Sequence, residues 1–210
     1  MAPVATLYDV HGNLRALEAV LAEIPEDATI VVGGDVCAGG EQPSEVLERL
    51  RALGDRVVWI RGNADRELAP GEAGLVPEPL VEMTRGKLSD EQIAFLQSHP
   101  HAVRAGDVLY CHASPRNDVD IFTERTPEVR IAFLFDGLGV ATVVCGHTHT
   151  QYERTVGGVR VVNAGSVGMP YEDEPGAFWT LDLEHRRTDY DGAQAQGREE
   201  AVAFFTERGL

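Results

Sequence analysis

The chain has 210 residues, 43% hydrophobic and 25% charged, with a formal net charge of -16. That length suits one domain, spanning residues 1–210, that buries most of its apolar surface without disulfides, and no apolar run approaches the roughly 20 residues that a membrane helix needs. The acidic balance argues against long nucleic acid as a partner, because phosphate backbones are held by clustered cations; a small phosphate ester stays compatible.

The opening stretch MAPVATLYDVHGN has neither the basic nor the long apolar region of a secretory leader. Cys37, Cys111 and Cys145 are an odd set without a CxxC pair, which fits a reducing compartment. A cytoplasmic protein without a membrane partner is expected.

The first apolar run, Ala5 to Tyr8, leads to Asp9 and His11, and Asn13 is a good N-cap for a helix whose Leu14, Leu17, Leu21 and Ile24 recur at helical spacing. A second run, Thr29 to Val32, leads to Asp35. A helix is expected from Ser44, with Val46, Leu47, Leu50 and Leu53 inward and Gly54 closing it. Val57 to Ile60 leads to Asn63 and Asp65. Residues 67–87, punctuated by Pro and Gly, read as a lid beside a site or as a surface excursion. Ser89 and Gln92 form a capping-box pattern opening a third helix, and a fourth is expected from Pro127 to Phe135. Val108 to Cys111 leads to His112, and Thr142 to Cys145 leads to Gly146, His147 and His149. Two further runs, Val159 to Val162 and Ala177 to Leu181, complete an α/β alternation.

The polar residues gather where the apolar runs end, and ligands of open α/β sheets bind outside the carboxyl ends of strands. Four of the seven histidines lie there with two aspartates and an asparagine. Imidazole and carboxylate are donors that divalent transition metals favour, and seven are too many for one tetrahedral ion. Two ions about 3.5–4 Å apart suit the set, with a bridging carboxylate and the two histidines of His147-Thr148-His149 divided between them. His99, His101 and His185 fall outside this pattern and are expected at the surface or in packing.

Asp9-Val10-His11, Gly34-Asp35, Gly62-Asn63-Ala64-Asp65, His112 and Gly146-His147-Thr148-His149 resemble the calcineurin-like metallophosphoesterase superfamily in its small prokaryotic branch, and Val162 to Pro170 is similar to a later segment of that family. The resemblance implies a four-layer α-β-β-α sandwich of two mixed sheets flanked by helices. It assigns Asp9, His11, Asp35 and His149 to one metal, and Asp35, Asn63, His112 and His147 to the other, with Gly146 letting the backbone turn between the histidines. Two divalent ions per chain are expected, manganese first, with iron, zinc and nickel compatible.

The expected reaction is hydrolysis of small phosphodiesters, such as cyclic nucleotides or other nucleotide esters, by a metal-bridging hydroxide, with Asp35, Asn63 and His112 at the chemical centre. Many relatives carry a histidine where this chain has Ala64, and related small enzymes with another residue there are often diesterases. Arg61, Arg66 and Arg116 flank the motifs as candidates for gripping substrate beside Asn63, although arginine is nearly the only cation this chain uses. Asp65 is expected to hold a ligand or its loop. A phosphomonoesterase, including one acting on phosphoprotein, is the competing enzyme reading; a non-catalytic scaffold of the same fold is disfavoured by the complete donor set.

Overall fold

A computed structural model describes residues 2–72, 74–191 and 198–207, so the expected 1–210 domain extends beyond the described residues. In chain order these form β1 (Val4–Leu7), α1 (Leu14–Glu23), β2 (Thr29–Val32), α2 (Pro43–Arg51), β3 (Val57–Trp59), α3 (Asn63–Glu67), α4 (Glu78–Arg85), α5 (Asp90–Gln97), β4 (Ala102–Ala105), β5 (Val108–Cys111), β6 (Thr142–Cys145), β7 (Gln151–Val156), β8 (Val159–Ala164), β9 (Ala177–Leu181), β10 (Glu184–Thr188) and α6 (Arg198–Glu207).

Two five-stranded sheets result, ordered β10-β9-β1-β2-β3 and β4-β5-β6-β8-β7. Each is mixed: β1, β2 and β3 run parallel, as do β5, β6 and β8, and the remaining strands pair antiparallel. Because side chains alternate faces along a strand, each sheet feeds two apolar layers. Ile30 and Val32 pack with Leu17, Val20, Val46 and Leu50 of α1 and α2, whereas Val31 turns inward to meet Tyr8, Tyr110, Val144 and Val162 between the sheets. On the outer face of the second sheet, Val143 and Val161 pack against Ile131, Leu134 and Phe135. The layers are those of the expected sandwich.

Local signals explain several boundaries. The Asn13 side chain accepts from the Ala16 amide at 3.1 Å, capping α1, and the Ser89–Gln92 capping box opens α5. The helix expected over Pro127 to Phe135 is instead two 3-10 turns, Glu128–Arg130 and Ala132–Leu134. Their three-residue period puts Ile131 and Leu134 together on the buried side while Val129 and Phe133 face solvent. Residues 67–87 contain α4, whose Pro79 lies in the first turn, where proline lacks no needed N–H. The expected second helix ends at Arg51 rather than Gly54, which opens a further 3-10 turn at φ 60°.

Candidate metal centre

The parallel strands of both sheets deliver their carboxyl ends to one place. Asp9 and His11 follow β1, Asp35 follows β2, Asn63 opens α3 just after β3, His112 follows β5, and His147 and His149 follow β6. All seven side chains are buried. Ligand atoms of Asp9, His11 and His149 lie within 4.8 Å of one another, as do those of Asp35, His112 and His147, giving two groups that could each hold a metal ion. The two histidines of the His-x-His pair thus go to different groups.

The turns that make this convergence are unusual. Asp9, His11, Asp35, His147 and His149 have φ values of 54°, 48°, 53°, 64° and 55°. This left-handed region is sparsely used by residues with a Cβ, and it persists only where the surroundings over-determine it. The restraints are visible: the amides of Asp9, His11 and Gly12 donate to the carbonyls of Gly34, Asp35 and Val36, locking the β1 and β2 loops together. The turn expected at Gly146 is made by His147 and His149 themselves. Gly146 supplies space, since a Cβ there would lie 2.6 Å from both Asp9 Oδ2 and Tyr8 Cδ1.

At least five of the seven side chains are aimed by a second contact. The Nδ1–H groups of His11, His112 and His149 donate to the carbonyls of Ala38 (2.6 Å), Gly33 (2.9 Å) and Met169 (2.7 Å), leaving Nε2 as the inward lone pair. Asp35 Oδ1 accepts from the Ala64 amide at 2.8 Å, and Asp9 Oδ2 from the His147 amide at 2.8 Å. Asp65 accepts from the amides of Asp35, Val36 and Gly62, so it fixes the loop that carries Asp35. Asn163 donates to the Gly146 carbonyl and to Thr148, holding the turn between the histidines.

What remains inside is a set of ligand atoms facing one another. His11 Nε2 and His149 Nε2 are 3.2 Å apart; His149 Nε2 lies 3.4 Å from Asp9 Oδ1, and His112 Nε2 lies 3.5 Å from Asp35 Oδ2 and 3.3 Å from Asn63 Oδ1. Ligands about 2.1 Å from one ion and roughly 90–110° apart are separated by about 3.0–3.4 Å, which is the spacing seen. Buried Asp9 Oδ1 and His147 Nε2 have no hydrogen-bond partner among the described residues. Buried polar atoms without partners are costly, and a cation satisfies both, so the residues fit metal ions.

The charges agree. Burial would raise the pKa of Asp35 and of Asp9, but His112 and His149, respectively, outweigh it and hold both below the ordinary carboxylate range. Burial opposes a charge on His112, yet Asp35 prevails and pushes it up to about 10. His147 goes the other way, down to about 4, through burial and the neighbouring His112. An ion held by His112 would therefore take the place of its Nε2 proton.

The three arginines lie outside the two groups. Arg61 donates to the Gln97 carbonyl, Arg66 is forked onto Asp118 at 2.9 and 3.3 Å, and Arg116 pairs with Asp120 near the surface. His99 stacks on Trp59, His101 lies against the Pro115 carbonyl, and His185 against that of Asn163. Tyr171, whose ring lies 4.4 Å from that of His149, carried no sequence signal.

Facing mixed sheets with paired histidine–aspartate groups at their parallel strand ends define a metal-dependent phosphoesterase. More particularly, the chain belongs to the calcineurin-like phosphoesterase superfamily, whose domain profile matches residues 3–186. It is 27% identical over 184 residues to Phosphodiesterase YfcE of Escherichia coli (strain K12), covering 83% of this chain and 84% of that protein. A 99-residue segment is 34% identical to the symmetrical bis(5'-nucleosyl)-tetraphosphatase of Pectobacterium atrosepticum, covering 44% of this chain and 35% of that one. The crystal structure of a metallophosphoesterase from Sphaerobacter thermophilus superposes with a TM-score of 0.74 at 24% identity, covering all of this chain and 94% of the other, a likeness of fold. No described helix is long and apolar enough to cross a membrane.

Proposed function

We propose that the chain is a binuclear metallophosphodiesterase of small phosphodiesters, nucleotide esters foremost. Asp9, His11, Asp35 and His149 hold one ion, and Asp35, Asn63, His112 and His147 hold the other. The observation that carries this reading is the inward set of nitrogen and oxygen atoms at metal-ligand spacing, with buried Asp9 Oδ1 and His147 Nε2 lacking a hydrogen bond among the described residues. Phosphodiesterase and dinucleoside tetraphosphatase relatives support the substrate class. Residues 9–149 supply the whole site, consistent with one catalytic unit, and three buried free cysteines are consistent with a reducing cytoplasm.

Two divalent ions bound there would acidify a shared water toward neutral pH and neutralise charge on the phosphoryl oxygens. The protein's part is orientation. Backbone carbonyls fix the imidazole tautomers, and the Ala64 amide holds one oxygen of Asp35 so that Oδ2 faces inward. Ala64 offers no side-chain acid, so the reading favours substrates that need no proton from that position. Asp9 and Asp35 bring two negative charges against four positive ones, which leaves the loaded site attractive to phosphate at contact distance in a chain of net charge -16. Manganese is the first choice of metal for a mixed oxygen and nitrogen donor set, with supply deciding among iron, zinc and nickel.

The test is a panel of an aryl phosphodiester, the matching monoester, 2',3'-cyclic nucleotides and dinucleoside polyphosphates, with manganese. The expected result is a kcat/KM for diesters at least tenfold above that for monoesters. The reverse order makes the chain a phosphomonoesterase, and turnover that does not depend on metal overturns the reading.

A further inference from the structure

Among the proposed ligands, Asn63 alone is a carboxamide, with an oxygen at one end and an NH2 group at the other. Its Oδ1 can bind a cation, whereas its Nδ2 would repel one, so the carboxamide needs a device that decides which end faces in. The partners on the two sides differ. Nδ2 donates to Glu67 Oε1 at 3.1 Å, and Oδ1 lies 3.3 Å from His112 Nε2. A carboxylate is acceptor-only, so the end of the amide turned toward it must be nitrogen.

Glu67 is an unexpected residue to find here. Its side chain is 1% exposed, one turn beyond Asn63 on the same face of α3. Its two oxygens are also committed elsewhere, Oε1 to the Leu75 amide at 3.1 Å and Oε2 to the Val76 amide at 2.8 Å. Arg66 Nη2 is 3.7 Å away. The loop that brings those amides in approaches so closely that a Cβ on Gly74 would lie 1.9 Å from Glu67 Oε1. Nothing about packing requires a buried carboxylate at this point; three N–H groups converging on it, one from a proposed metal ligand, give it a purpose.

We propose that Glu67 is a positioning residue for the second metal: it turns the Asn63 carboxamide so that Oδ1 faces the Asp35–His112–His147 group, and it ties that orientation to the loop at residues 74–76. The inference rests on the binuclear reading above. Glu67→Gln is the informative change, because a glutamine must present an NH2 group among N–H donors, and at least one of the three contacts is lost. Removing such a supporting partner typically weakens metal affinity about 10–100-fold.

Calorimetric titration of the metal-free full-length chain with manganese tests this in four forms: the parent, E67Q, N63A and the double variant. The parent is expected to bind two ions. E67Q should weaken one of them at least tenfold and leave the other within about twofold. In the N63A background, E67Q should add less than about twofold, because the residue through which it acts is gone. An equal effect of E67Q with and without Asn63, an equal loss at both ions, or no loss overturns the proposal while leaving the binuclear reading standing. A parent that binds fewer than two ions overturns the binuclear reading itself. Should E67Q not fold, Glu67→Asp keeps the charge but withdraws it by one methylene, and the same cycle applies, with undiminished binding of both ions again counting against the proposal.

Discussion

A single added methyl group tests how tightly the two sheets converge. In Gly146→Ala, the new Cβ would lie 2.6 Å from Asp9 Oδ2, 2.6 Å from Tyr8 Cδ1 and 2.7 Å from Tyr8 Cβ. Tyr8 is fully buried between the sheets, and its hydroxyl donates to the Val144 carbonyl at 3.1 Å, so the ring has little room to move. The Asp9 carboxylate is the softer neighbour. Rotating it away breaks the bond from the His147 amide and leaves a buried N–H unpaired, at a cost of about 1–3 kcal/mol. Overpacking adds about 1–3 kcal/mol. A loss near 3 kcal/mol in a chain of this size lowers Tm by roughly 6–12 °C. Gly157→Ala is the control: among the described residues nothing lies within 4 Å of its Cβ position, and only the backbone conformation at φ 57° is penalised, by about 1 kcal/mol. Calorimetric melting of both metal-free variants, with manganese titration of each, reads stability and ligand placement together. G146A should melt well below G157A and bind metal more weakly. If G146A melts within about 2 °C of the parent and keeps its affinity, the crowding around Asp9 is wrong.

Asp35→Asn should abolish hydrolysis while the metal-free chain still melts cooperatively, because the Ala64 amide retains an oxygen acceptor there; unchanged kcat would remove Asp35 from the centre. The acid–base behaviour of the site gives a second expectation. With His112 pushed up to about 10 and His147 down to about 4 in the absence of metal, the former carries a proton at pH 8 and the latter does not. Ion binding must expel the His112 proton, so affinity should rise with pH through this range and fall on acidification. Titration at pH 8 in buffers of different ionisation enthalpy should show at least one proton released with the ion that takes His112 as a ligand, and no release would refute its ligation.

What the residue pattern conveyed and what it hid follow from how local each feature is. Buried parallel strands such as Thr142–Cys145 carry apolar runs on both faces, so they and the polar residues after them stand out. The strands Ala102–Ala105, Gln151–Val156 and Glu184–Thr188 went unseen because all three are sheet edges, with charged residues such as Arg104, Glu153 and Arg186 where a run would otherwise be. Division into two sheets was not legible in periodicity at all; it came only through the family resemblance. The donor side chains could be picked out by type and position, but not their left-handed backbone, which depends on hydrogen bonds between distant loops. Glu67 had one available signal, its i+4 spacing from Asn63, and was hidden because α3 has only five residues and no apolar stripe to announce it. The arginines carry the weakest signal: adjacency to motifs in sequence singled out Arg66, and what it grips among the described residues is Asp118.

Anomalous diffraction from crystals grown with manganese addresses the main claim with the least inference. Two peaks per chain are predicted, one against Asp9, His11 and His149 and the other against Asp35, His112 and His147, with the Asp35 carboxylate reaching both. A single peak, or manganese bound elsewhere while those imidazoles hydrogen-bond among themselves, would contradict it.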